Sequence, residues 1–219
     1  MSLFPIRTWR KLAQRALSET DNSFFYDPDP AGHLELRNQI SHYLGYARGI
    51  NCDPDDIIIT TGTRHRLDLC LRSLTRPGDT VWMEAPGYAG AEALIGVHRL
   101  ASVPISVDDH GLRVDAAEEM APNAKLCIVT PSHQSPLGVR LSFERRQKLL
   151  AWAAWANAYI IEDDYDGEFS FDTARFPAFK AMDIDDRVIH AGSFNKVLFP
   201  TLRTGYLVPK SMRSKVQRL

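Results

Sequence analysis

Apolar residues along this chain gather into short runs, and most of the runs are separated by segments with helical spacing. Seven runs have β character, at residues 57–61, 80–84, 102–107, 125–130, 159–162, 188–190 and 205–208. Between the first two, Leu67, Cys70, Leu71 and Leu74 recur at the three-and-four spacing of one helix face. Ser142 ahead of Phe143, Leu149, Leu150, Ala153 and Ala154 predicts a capped amphipathic helix before the fifth run. The most apolar stretch, residues 149–161, divides into the end of that helix and the start of a buried strand. Strands that are apolar on both faces and alternate with helices predict an α/β fold, a seven-stranded, mostly parallel sheet with helices on both faces. The first fifty residues differ, with helical patterns at 8–17 and 34–46 around a turn-rich stretch at 26–32. They read as an N-terminal arm and helices, residues 1–50, ahead of a large domain over residues 51–219. No repeat or low-complexity segment interrupts the pattern.

Composition narrows the function more than the fold. With 219 residues, 44% apolar and 24% charged, the chain can bury one sizeable core. Twenty-six basic against twenty-seven acidic side chains leave a net charge of −1 and no dense basic run, which argues against direct nucleic-acid binding. Cys52, Cys70 and Cys127 are far apart and form no CxxC pair, so they read as reduced thiols of a cytoplasmic protein, with neither disulfide nor metal site. No stretch approaches the eighteen apolar residues of a membrane span, and the N-terminus lacks a signal-peptide core.

In open α/β sheets ligands sit beyond the carboxyl ends of the strands, so the turns after each run carry the candidate chemistry. The first turn, Thr60-Thr61-Gly62-Thr63, opens a helix whose free N–H groups suit a phosphate. The second, Glu84 to Tyr88, offers an aromatic ring for a planar ligand. The fourth, Pro131 to Gly138, contains His133 and Gln134 in a loop constrained by prolines. After the fifth come Glu162, Asp163, Asp164, Tyr165 and Asp166, able to hold a cation or a protonated ring nitrogen. The sixth supplies Ser193, Asn195, Lys196 and Arg203. A lysine just past a buried strand is expected to have its charged form disfavoured by desolvation, which suits a Schiff base. Together these groups answer to a cofactor that carries a phosphate, an aldehyde, a phenolic oxygen and a pyridine nitrogen.

The segments DIIITTGT, EAPGYAGA, VTPSHQSPLGV, IIEDDYDGEF and GSFNKVLFPTLRTGY, in that order, resemble the fold type I pyridoxal-phosphate aminotransferases of class I/II. The resemblance is strongest to the aminotransferase-like domain of MocR/GabR-type regulators of the GntR family. It implies that Lys196 holds pyridoxal 5'-phosphate as an aldimine and shuttles the proton. Asp163 is implied to pair with the pyridine nitrogen and Tyr165 to hydrogen-bond the phenolic oxygen. Gly62, Thr63, Arg64, Ser193 and Arg203 are implied to hold the phosphate, Tyr88 to stack on the ring, and His133 or Gln134 to line the site near the phenolic oxygen. The same resemblance implies a small-molecule amino compound as ligand and a homodimer.

Departures from the family pattern shape the remaining expectations. No room for a winged helix-turn-helix precedes Phe4, and the chain stops at Leu219, where such proteins continue into a C-terminal small domain. The chain is therefore expected to be a bare large domain with its arm. Arg64, His65 and Arg66 replace the glutamines and alanine usual after the glycine-threonine turn, to tighten phosphate binding or to coat the helix. Gly90 stands where the gamma-aminobutyrate-sensing members place a substrate arginine, and Tyr26 lies one residue early for the tyrosine that relatives send to the partner's phosphate. Two alternatives stand beside an aminotransferase. One is a non-catalytic sensing fragment of a MocR-type regulator, and the other a Mg-dependent phosphatase built on Asp164-Tyr165-Asp166-Gly167.

Overall fold

The computed structural model describes residues 4–20, 29–169 and 177–210, so Tyr26 lies outside the described residues. Its strands are β1 (Ile58–Thr60), β2 (Thr80–Ala85), β3 (Ala101–Asp108), β4 (Gly111–Leu112), β5 (Leu126–Val129), β6 (Tyr159–Asp164), β7 (Val188–Ser193) and β8 (Gly205–Val208). They form one sheet in the order β1-β8-β7-β6-β5-β2-β3-β4. Among the described residues the sheet thus has eight strands instead of the expected seven. The addition is β4, two residues that fold back antiparallel on β3 through the pairs Val107–Leu112 and Asp108–Gly111. So short a strand leaves no alternation to read. The pairs β2–β3, β2–β5, β5–β6 and β6–β7 are parallel, whereas β8 runs antiparallel between β1 and β7.

Period-two alternation divides the strands between two apolar layers. Val81, Met83, Ile128, Ile161, Ile189 and Leu207 face one side, against Leu67, Cys70 and Leu71 of α3 (Thr63–Leu74) and Ile95 of α4 (Ala89–Val97). Trp82, Cys127, Val129, Ile160 and Val188 face the other, against Ala117 of α5 (Val114–Met120) and Leu149 and Trp152 of α6 (Phe143–Trp155). Each fully buried side chain of this size contributes roughly 1.5–3 kcal/mol by leaving water. The α6 cap is the expected one, with Ser142 Oγ accepting from Arg145 N at 3.3 Å. Phe143, expected on the buried face, is 56% exposed, while Trp152 stacks on Trp82 with ring centroids 3.7 Å apart. Both indole N–H groups are satisfied, Trp82 by Ala121 O at 3.0 Å and Trp152 by Pro122 O at 2.9 Å.

Two helices precede the sheet. The helix α2 (Leu34–Arg48) ends at Gly49, whose φ of +70° is the left-handed cap conformation that glycine adopts without a Cβ clash. It packs Ile40 and Leu44 with Ile57, Tyr206 and Val208 in a third apolar cluster. Its last residue, Arg48, is buried and pairs with Asp164 Oδ2 at 2.7 Å, fastening the helix to β6. By contrast, α1 (Ile6–Glu19) buries no residue.

Candidate functional site

The parallel strands diverge between β2 and β5: one arm of the sheet continues through β3, the other through β6 and β7. That reversal opens a crevice at the carboxyl ends of the strands. A cavity of about 240 Å³ lies there, lined by Thr63, Tyr88, Thr130, Ser135, Asp163, Tyr165 and Lys196. Thr63 opens α3 after β1, Tyr88 precedes α4 after β2, and Thr130 follows β5 directly. Asp163 is the penultimate residue of β6, Tyr165 the residue after that strand, and Lys196 lies in the turn beyond β7. Alternation along β6 sends Asp163 toward the cavity and α3, and Asp164 to the opposite face, where Arg48 and His190 meet it.

The loop that brings Ser135 to the cavity is fixed at its base. Leu141 N donates to Pro131 O at 3.1 Å, and the buried Arg146 guanidinium binds the carbonyls of Leu141 (3.1 Å) and Pro131 (3.0 Å). The α3 N-terminus has Gly62 as its cap residue, with φ +99°, and no side chain caps the free N–H groups. A Cβ on Gly62 would lie 3.9 Å from Arg203 Nη2 and 4.0 Å from Asn195 Nδ2, so those two side chains flank the turn. The Asn195 carbonyl oxygen is buried without a partner among the described residues.

Burial sets the electrostatics. Desolvation raises the Asp163 carboxyl above the usual carboxylate range, opposed by the Arg66 guanidinium, which donates to Asp163 Oδ1 through Nη2. Burial likewise pushes Glu84 up to about 7, although Thr130 donates to its Oε2 from both N (3.1 Å) and Oγ1 (2.5 Å). The Tyr165 hydroxyl is pushed up to about 12 by burial and by neighbouring Asp166, so it stays a donor at neutral pH. Behind the site, burial works against the charge on Glu162, but His190 and the N–H groups of Phe179 and Lys180 hold its pKa down.

The sequence profile described as aminotransferase class I and II matches residues 1–217. The chain belongs to this family. It is 39% identical to an uncharacterized HTH-type transcriptional regulator, YhdI, of Bacillus subtilis over 99% of its own length and 46% of the relative's. It is 38% identical to a probable rhizopine catabolism regulatory protein, MocR, of Rhizobium meliloti, covering 94% of this chain and 41% of that one. Among solved structures, a kynurenine aminotransferase of Pyrococcus horikoshii superposes with a TM-score of 0.90 at 30% identity, covering 98% of this chain and 55% of that one. An archaeal alanine:glyoxylate aminotransferase superposes with a TM-score of 0.91 at 31% identity, over 99% and 55%. The chain thus spans about half the length of the relatives it matches.

Of the residues the sequence singled out, Lys196, Asp163, Tyr165, Thr63 and Tyr88 come together on the cavity wall. Gly62 and Arg203 lie beside each other at the turn that precedes Thr63. The others are not on that wall. The Arg64 side chain is exposed while its backbone stays in the first turn of α3, and buried Ser193 accepts from Asn195 N at 3.2 Å. His133 is not on the wall, because its Nδ1 lies 3.1 Å from Asp166 Oδ1. Gln134 is buried, and its amide is spent on the loop, donating to Pro86 O at 2.7 Å and Ser135 O at 2.9 Å and accepting from Leu137 N at 2.9 Å. Lys196 is exposed, so this chain alone does not supply the burial expected around its amine. Arg66, read as a surface or phosphate residue, is fully buried under the cavity. Thr130 and Ser135 line the wall without having been singled out; their signal was position alone, at and just beyond the end of an apolar run. The acid pair of the phosphatase alternative is committed to Arg48 and His133, and no metal-binding cluster of His, Cys, Asp and Glu occurs among the described residues.

Proposed function

We propose that the chain is a pyridoxal-phosphate-holding domain whose cofactor attaches at Lys196 and whose ligand is a small amino compound. The observation that carries this reading is the cavity that unites Lys196, Asp163, Tyr165, Thr63 and Tyr88 from four separate strand ends. Its donor set fits the group: an uncapped helix N-terminus with Arg203 beside it for a dianion, a buried carboxylate for a ring cation, and a protonated phenol for an oxyanion. When bound, the cofactor supplies an aldehyde that captures amines and a ring that accepts electrons. The protein's part is to hold and orient. The Thr63 and Arg64 N–H groups and Arg203 would hold the phosphate, Tyr88 would pack on the ring, and Tyr165 would donate to the phenolic oxygen. Asp163 would pair with the ring nitrogen, and Lys196 would supply the amine and act as proton carrier.

Titration with pyridoxal phosphate is expected to produce a visible absorption band and to raise the melting temperature with cofactor concentration, as a ligand of the folded state does. Absence of both would remove the reading. A second reading, a sensing module that binds its amino compound without turnover, is favoured by the regulators at 38–39% identity. Sustained keto-acid production from amino acids would exclude it. We further infer that the chain works as a homodimer. Its free thiols, Cys52, Cys70 and Cys127, favour the cytoplasm.

A further inference from the structure

Arg66, one of the departures from the family pattern, is part of the site's buried frame. It stands one helical turn after Thr63, on the sheet-facing side of α3 with Leu67, Cys70 and Leu71, and has no exposed surface. Its Nη1 donates to Gly192 O at 2.8 Å and its Nη2 to Asp163 Oδ1, while Nε is buried without a partner among the described residues. The acceptor on β7 is the backbone carbonyl of Gly192, a position that stays glycine because a Cβ there would fall 2.1 Å from the Tyr206 ring. Asp163 therefore meets the cavity with Oδ1 already held by a permanent cation, and Oδ2 is the oxygen outside that ion pair. The other titratable groups around it are Asp164 on its own strand, His190 on β7, Glu84 at the end of β2, and Tyr165 and Lys196 at the cavity.

A carboxylate that faces one cation stabilises it fully, whereas one that faces two divides its effect and sets the two cations in mutual repulsion. We propose that Arg66 is a positioning residue that shares the Asp163 carboxylate with the ring nitrogen of bound pyridoxal phosphate and so weakens that nitrogen's hold on its proton. The inference rests on the function proposed above. Arg66 also favours the ionised form of Asp163 before any ligand arrives, because its charge opposes the desolvation that raises the carboxyl. A ring that gives up its proton more readily is a poorer electron acceptor, which favours holding an amino compound over converting it.

The test is the 15N chemical shift of pyridoxal phosphate labelled at the ring nitrogen, followed across the pH range in which the protein stays folded. It is measured in the wild-type chain and in Arg66→Ala, Arg66→Gln and Arg66→Lys. In the wild type the nitrogen is expected to lose its proton within that range. Arg66→Ala and Arg66→Gln should raise its proton affinity at least about ten-fold, one pKa unit. Arg66→Lys, which keeps the charge, should stay near the wild type. A nitrogen protonated throughout in the wild type, or equal proton affinity in the wild type and the neutral variants, would overturn the proposal while leaving cofactor binding intact. If the neutral variants do not fold, the wild-type titration decides alone. No cofactor signal in the wild type would overturn the functional reading and this inference together.

Discussion

At Glu84, burial lifts the carboxyl from its ordinary value near 4.5 to about 7, against the opposing hydrogen bonds from Thr130. The folded chain keeps this proton where the unfolded chain has already lost it. Stability from this group is therefore greatest below about 4.5 and falls as pH rises toward about 7, by no more than about 3.5 kcal/mol at roughly 1.4 kcal/mol per unit. Glu84→Gln keeps an acceptor for Thr130 and removes the titration, so its unfolding free energy should decline less over the same window. Parallel urea-unfolding profiles for wild type and variant would contradict burial as the cause. Single residues also show what the chain made legible. Lys196, Asp163 and Tyr165 could be found because each follows an apolar run, and position after a strand is a linear property. The pairing of Arg66 with Asp163 could not, since it joins residues 97 positions apart and an arginine on a helix reads first as surface.

The elements hold the site from behind. Trp152 on α6 stacks on Trp82 at 3.7 Å in a layer that never reaches the cavity. Trp152→Ala should cost about 3–5 kcal/mol in chemical denaturation, with the cofactor's absorption band unchanged in the protein that remains folded. A loss under about 1 kcal/mol would mean that the layer relaxes around the gap. Arg48→Ala strips the partner from buried Asp164 and should cost about 3–5 kcal/mol, with much less further loss when Asp164→Asn is added. Additive losses in that double-mutant cycle would show that the two groups do not act as a pair. At this scale the runs of β character reappear as β1, β2, β3, β5, β6, β7 and β8, because period two with apolar residues on both faces is a strong signal. The hairpin strand β4 escaped for want of length, and Phe143 was misjudged because it opens α6, where the helix has not yet turned onto the sheet.

As a whole, the molecule is a sheet with two covered faces, a cavity at the carboxyl ends of its strands, and one helix, α1, that buries none of its own residues and touches Phe199 through Trp9. Ile6, Trp9, Leu12 and Leu17 fall within one arc of α1, and Leu17 is 76% exposed. An apolar stripe of this kind needs a partner surface. Sedimentation should show self-association that Leu17→Glu weakens, and a wild-type chain that stays monomeric at every concentration would contradict the homodimer. The most direct measurement of the central claim is borohydride reduction of the cofactor-loaded chain followed by peptide mapping. The account predicts that the reduced cofactor is found on the peptide containing Lys196 and that Lys196→Ala carries none. Label on a different lysine, with Lys196 unmodified, would contradict it.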